Sequence, residues 1–179
     1  MLDEIIMKIT REETYRILWN QLQNSKFKEI YISLELDRFQ KKDRIINIFL
    51  VIVTSTSISA WAIWQYAYLK WIWALLIAAS QIISLIKPYL NYSKYLKELN
   101  QKYVLLQTLT IEYERLWLSY KFEKLSNDQA VEKAFDLKNS IAKELNFSEE
   151  VVFTENKMVY DEAKRKLGHY LISNYNIKQ

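Results

Sequence analysis

Residues 45–69 read IINIFLVIVTSTSISAWAIWQYAYL and contain no charged side chain, and after the single Lys70 a second uncharged stretch, WIWALLIAASQIISLI, covers residues 71–86. At about 1.5 Å of rise per residue, a helical run of this kind spans the roughly 30 Å hydrocarbon core of a bilayer. Because so little chain separates the two stretches, they are expected to form a hairpin. The sequence therefore predicts two membrane spans, at about residues 45–66 and 70–88.

The composition predicts helices throughout. The 179 residues include one Gly and one Pro, the residues that punctuate turns and strands. Half of the residues are hydrophobic and 26% are charged, which fits a central apolar hairpin between water-exposed segments. The predicted fold is an all-α membrane protein: cytosolic helices over residues 1–44, a transmembrane hairpin over 45–88, and a cytosolic helical region over 89–179. The two outer segments are expected to form one coiled-coil-like domain.

Basic residues flank the hairpin on both sides, which by the positive-inside rule places both termini in the cytoplasm. The cluster Lys41, Lys42 and Arg44 could contact nucleic acid, since the sequence pI is about 9.0. Its position next to a span favours anionic lipid headgroups instead, so direct nucleic-acid binding is not expected. The predicted membrane-interface residues are these three together with Trp61, Trp64, Trp71 and Trp73.

Outside the hairpin, spacing and capping patterns define further helices. Thr10 and Glu13 form a capping-box pattern at the start of the first helix, which could turn or bend at Asn24 and Ser25. Residues 126–128 form a predicted break with good N-cap residues before the next helix. Thr154 is the predicted cap of the last helix, from about Glu155 to Ile172.

The long segment from Tyr92 to Leu125 carries apolar residues at alternating spacings of three and four, as in a coiled-coil seam. Its partner would be either the helix over residues 27–44, running antiparallel, or the same surface of another subunit. The predicted oligomer seam is Leu99, Tyr103, Leu106, Tyr113 and Trp117.

The sequence shows no catalytic constellation. His169 is the only histidine, and there is no Cys. One Gly cannot build a phosphate-cradling loop. We therefore predict no enzymatic activity, no catalytic residues, no cofactor and no metal site.

Polar residues are dense within the predicted hairpin. They could join the two helices through close backbone packing, or line a water-filled path once several hairpins assemble. The predicted pore-lining or span-packing residues are Thr54, Ser57, Ser80, Gln81 and Ser84.

The layout of the chain resembles the SLATT family of two-transmembrane effector domains. The shared features are an N-terminal amphipathic helix with Trp19, a basic segment with Lys41 and Lys42 before the membrane, a tight two-span hairpin, and a long Tyr- and Leu-rich helix after it. The resemblance covers nearly the whole chain as a layout, without a diagnostic motif. It implies an oligomeric, pore-forming effector of bacterial antiphage defence (abortive infection) that permeabilises or depolarises the inner membrane. A separate cytosolic sensor would supply the trigger, because this chain has no fused nucleotide-sensing domain. The alternative is a non-conducting membrane anchor or scaffold that recruits a cytosolic partner.

Overall fold

A computed structural model of the protein describes residues 10–55, 67–86, 92–144 and 156–175, and every regular element in these ranges is an α-helix. The near absence of Gly and Pro explains why, since few positions interrupt a helix. The all-helical part of the predicted fold class is confirmed. The helices are α1 (Arg11–Ser55), α2 (Ala67–Ile86), α3 (Tyr92–Lys121), α4 (Asn127–Glu144) and α5 (Lys157–Tyr175).

Helix α1 begins with the predicted capping box. The Thr10 backbone N–H donates to Glu13 Oε2 at 2.9 Å, and the Glu13 backbone N–H donates to Thr10 Oγ1 at 3.3 Å. These hydrogen bonds hold the pKa of the Glu13 carboxyl below its ordinary value, the backbone bond from Thr10 being the largest cause. The reciprocal bonds satisfy donors that the first turn of a helix otherwise leaves free.

The turn or bend considered at Asn24 and Ser25 does not occur, because α1 continues through both residues. Ser25 is buried, and its Oγ lies 2.9 Å from Oγ1 of the buried Thr110 on α3. The hydroxyl is therefore used in a contact between two helices. Local sequence could not distinguish this use from a cap, because the partner lies far along the chain.

The chain divides into two compact units. Unit 1 comprises Met1–Glu35 and Leu99–Gln179, and unit 2 comprises Leu36–Glu98. The boundaries of the predicted hairpin domain, residues 45 and 88, both fall inside unit 2.

Unit 1 has a closed hydrophobic core, in which α1 and α3 pack antiparallel. Tyr120 near the end of α3 donates its hydroxyl to the backbone O of Arg11 at the start of α1, while Thr110 pairs with Ser25 further along. The hydroxyl of the buried Tyr113 donates to the backbone O of Ala134 and so connects α4 to the pair. The buried residues of this core are Leu18, Leu22, Leu109, Tyr113, Leu116, Trp117, Tyr120, Ala130 and Ala134.

Polar side chains cap the C-terminal helices. A reciprocal pair joins Ser126 and Gln129 at the start of α4, as predicted for this break. Helix α5 is capped by Asn156, whose Oδ1 accepts from the Met158 backbone N–H at 3.0 Å. The predicted cap of this helix, Thr154, lies outside the described residues.

The predicted transmembrane hairpin is wrong. Within residues 10–55, 67–86, 92–144 and 156–175, no helix is both long and apolar enough to cross a membrane. The described part of the first predicted span, residues 45–55, ends the otherwise charged helix α1 and measures about 16 Å, half of a bilayer core. In α2, polar residues at positions 80, 81 and 84 interrupt the apolar sequence.

The remaining residues of the two predicted spans, 56–66 and 87–88, lie outside the described residues. The predicted localisation, a multi-pass protein of the bacterial inner membrane with both termini cytoplasmic, depended on those two spans. It is corrected together with them.

Candidate functional site

The described residues hold no group of three or more His, Cys, Asp or Glu side chains placed to bind a metal ion. His169 is exposed on α5, beside a shallow groove that is lined only by residues of the same helix. Those lining residues are Asp161, Lys164, Arg165, Gly168, His169 and Ile172. A groove on one helix does not place an acid, a base and a nucleophile around a substrate.

The most connected polar cluster lies in unit 1 and joins α5 to α3. The hydroxyl groups of Tyr170 and Tyr175 both donate to Glu114 Oε1, from Tyr170 at 3.4 Å. The Tyr175 ring packs edge-on against Trp19 and Trp117, with centroids 5.1 and 5.2 Å away. We call these five residues the tyrosine clasp.

A cation extends the clasp on the α1 side. Lys26 Nζ lies 4.6 Å from the centre of the Tyr170 ring and 2.8 Å from Glu29 Oε1. Both Lys26 and Glu29 are largely shielded from water. The two opposite charges stabilise each other in place of the solvation that burial removes. The clasp and this ion pair together attach the last turns of α5 to the two long helices.

Burial within unit 1 changes the ionisation of three tyrosines. Desolvation raises the pKa of Tyr113 to about 12. Desolvation is also the largest cause that raises the pKa of Tyr170 and of Tyr175, and the hydrogen bond of Tyr175 to Glu114 raises its pKa further. All three are neutral hydroxyl donors near neutral pH, which suits a structural cluster better than proton transfer.

Three buried side-chain atoms of the described residues make no hydrogen bond: Thr14 Oγ1, Glu29 Oε2 and Trp117 Nε1. Each lies in unit 1, among side chains that pack the helices together. Neither the cavity that Leu116 and Leu137 line nor the groove on α5 includes any of the three.

In unit 2, one side of helix α2 is apolar and exposed to solvent. Helix α2 has an inner face, where Trp73, Leu76 and Ile83 are partly buried and Ser80 is buried. Its opposite side is exposed and apolar, with Trp71, Leu75, Ile82 and Leu85 exposed by 57–80%. We call Trp71, Leu75, Ala78, Ile82 and Leu85 the outer seam of α2.

The end of α1 adds a second exposed apolar stripe in unit 2. Ile45, Ile48 and Ile52 recur at spacings of three and four and are each more than half exposed. Like the outer seam, this stripe consists of large apolar side chains in contact with solvent. Exposed apolar patches are typical of sites of association.

The predicted membrane-interface residues differ in how exposed they are. Lys41, Lys42 and Arg44 are exposed on α1, with Lys42 Nζ 5.4 Å from the centre of the Phe39 ring. Trp71 is 80% exposed, whereas Trp73 is partly buried on the inner face of α2. Trp61 and Trp64 lie outside the described residues.

The residues predicted to line a pore or pack the spans do not share one face. Ser80 is buried, and its Oγ donates to the backbone O of Ile77 at 2.8 Å. Gln81 and Ser84 are exposed on α2. Ser57 and the side chain of Thr54 lie outside the described residues.

The predicted oligomer seam on α3 is used inside the chain. Leu99, Leu106, Tyr113 and Trp117 are buried, and Tyr103 is partly buried. Tyr15 and Trp19 of α1 pack against Trp117, with centroids 5.6 and 5.2 Å away. The seam therefore packs within the same chain, here against residues of α1 that precede the predicted partner segment 27–44.

Neither the tyrosine clasp nor the outer seam of α2 is predicted from the sequence. Tyr170 and Tyr175 lie 56 and 61 positions from Glu114, so no local pattern connects them. The residues of the outer seam do follow one another at spacings of four, three, four and three. This spacing is hard to recognise in the sequence, because almost all residues of α2 are apolar.

No protein-family model, curated protein or solved structure matches this chain. The resemblance to the SLATT family stays a prediction, and the function has to be argued from the residues themselves.

Proposed function

We propose that this protein is a non-enzymatic association module. Unit 1 supplies a self-contained helical body, and the exposed apolar surface of unit 2 binds protein. The uncovered surface of unit 2 carries the proposal, because Trp71, Leu75, Ile82 and Leu85 are exposed by 57–80% along one side of a single helix. Exposed apolar area of this extent stabilises a complex when it is removed from water.

The chemistry of the two units supports association over catalysis. The ionisable groups of the tyrosine clasp bond to one another, from two tyrosines to Glu114, and the neighbouring Lys26 pairs with Glu29. The outer seam of α2 has no charged side chain that could orient a substrate. A role in antiphage defence and a separate sensor partner remain predictions from the resemblance, which the neighbouring genes would test.

Site-specific photo-crosslinking in the cells from which the gene comes tests the proposal. A benzophenone amino acid at Leu75 probes unit 2, and the same group at Leu118, exposed on α3 in unit 1, is the matched control. We expect a discrete protein adduct from position 75 and none from position 118. Absence of any protein adduct at position 75 would overturn the proposed function.

A further inference from the structure

The outer seam of α2 has the geometry of a coiled-coil interface. Its residues follow one another at spacings of four, three, four and three, which keeps them in one line when two helices wrap around each other. Trp71, Leu75 and Leu85 are 80, 70 and 70% exposed, and Ala78 near the middle is also exposed. The small side chain there permits close approach of a second helix.

The side of α2 opposite the outer seam is the less exposed one. Trp73, Leu76, Ser80 and Ile83 recur at spacings of three, four and three and are less exposed than the seam. A helix that is apolar on both sides is stable in water only when both sides are covered. One side is covered by the protein's own residues, so the outer seam requires an occupant.

We propose that the occupant is a second copy of this chain, with the outer seams of two α2 helices packed against each other. This inference rests on the proposed function and names its partner. The two-fold symmetry of a dimer places the same surface on both sides of the contact, so each apolar seam meets an equally apolar one.

The charge pattern supports a second copy over a charged partner. Residues 71–86 contain no charged side chain, so a partner that presented charges to the seam would bury them without compensation. A second copy presents the same uncharged residues to the seam, so the contact leaves no charge without compensation on either side.

The molar mass of the purified full chain, measured by light scattering over a range of concentrations, tests the inference. Wild type is expected to be dimeric or a higher oligomer. Leu75→Glu places two unpaired charges in the contact and is expected to raise the dissociation constant at least about 100-fold. Ser84→Glu is the matched control, since position 84 is exposed on α2 but lies off the seam. It is expected to associate as wild type does.

Crosslinking locates the contact independently of mass. The chain contains no Cys, so one introduced thiol is the only target for a short bismaleimide. Ala78→Cys is expected to give a covalent dimer in high yield, and Ser84→Cys to give little. Equal yields from the two variants, or a higher yield from position 84, would contradict contact through the outer seam.

The outcomes distinguish the proposed dimer from the proposed association function. A monomeric wild type whose position 75 crosslinks to a different protein overturns the second copy and leaves the association function standing. A monomeric wild type that floats with phosphatidylcholine–phosphatidylglycerol vesicles, and gives no protein adduct at position 75, overturns both. Circular dichroism of Leu75→Glu shows whether its helices are intact, so that a lost dimer is assigned to the seam.

Discussion

Unit 1 and unit 2 are both helical, yet they differ in how their apolar residues are packed. In unit 1 large side chains of α1, α3 and α4 form one buried core with hydrogen bonds from tyrosine hydroxyls at its edges, although others, such as Phe122 and Met158, stay exposed. In unit 2 the apolar residues of α2 and of the end of α1 remain largely exposed. The comparison teaches that total hydrophobicity does not locate the core. The core forms where apolar residues alternate with polar ones, and the most apolar segment supplies a surface.

The largest effect is expected in the core of unit 1. Leu22 is fully buried, so Leu22→Ala removes packed atoms and leaves a cavity. Such a change costs about 2–5 kcal/mol of unfolding free energy. Leu75→Ala, at a position 70% exposed, is the matched control in unit 2 and is expected to cost less than about 0.5 kcal/mol in the monomer. Denaturant titration at low protein concentration measures both, and equal losses would refute the contrast between the units.

The tyrosine clasp gives the next largest effect. Tyr175→Phe keeps the ring against Trp19 and Trp117 but removes the hydroxyl that donates to Glu114. Loss of a hydrogen bond to a charged acceptor is expected to cost about 1–2 kcal/mol, with α5 loosened first. Hydrogen exchange of residues 157–175 measures this. Tyr160→Phe, at a half-exposed position of the same helix, is the control and should leave exchange unchanged.

Alkaline pH is expected to weaken unit 1 in particular. The pKa values of Tyr113, Tyr170 and Tyr175 are raised in the folded protein, so the folded state retains protons that the unfolded chain releases. Their contribution is fully present below about pH 10, the ordinary tyrosine pKa, and is lost as the pH rises toward 12.

Denaturant midpoints between pH 8 and pH 11.5 measure this dependence. They should fall with pH in wild type and fall less steeply in Tyr113→Phe. An identical slope in the two proteins would mean that the buried Tyr113 does not contribute.

The smallest effect is expected at the turn between α3 and α4. Glu123 has a φ of 59°, a left-handed conformation that suits Gly better than a residue with a Cβ. Its ion pair with Arg11, at 2.7 Å, is exposed on both sides and contributes little. Glu123→Gly is therefore expected to stabilise the protein by about 0.5 kcal/mol in thermal unfolding. Glu123→Gln, which keeps the strain and removes the charge, should change little.

Local chemistry made part of this fold predictable. The capping box at Thr10 and Glu13, the break at Ser126 and the packed stripe of α3 follow from residues that are three or four positions apart. The membrane spans predicted from the two uncharged stretches are wrong, because no helix among the described residues is long and apolar enough to cross a membrane. The resemblance to the SLATT family also depended on the hairpin, and it remains untested.

Contacts between distant positions could not be inferred from the sequence. Ser25 reaches Thr110 across 85 positions, and the tyrosine clasp joins α5 to α3. Only the three-dimensional packing shows which of two apolar faces of α2 is covered. The sequence placed the oligomer contact on α3, whereas Leu106, Tyr113 and Trp117 of that seam are buried within unit 1.

Hydroxyl-radical labelling at increasing protein concentration compares the two units within one molecule and tests the central claim most directly. Trp71, in the outer seam of α2, and Met158, on α5 of unit 1, are exposed by 80 and 83%. The account predicts that Trp71 becomes protected as the chains associate, while Met158 keeps its reactivity. Unchanged reactivity of Trp71 over a range in which the protein associates, or protection of Met158 alone, would contradict it.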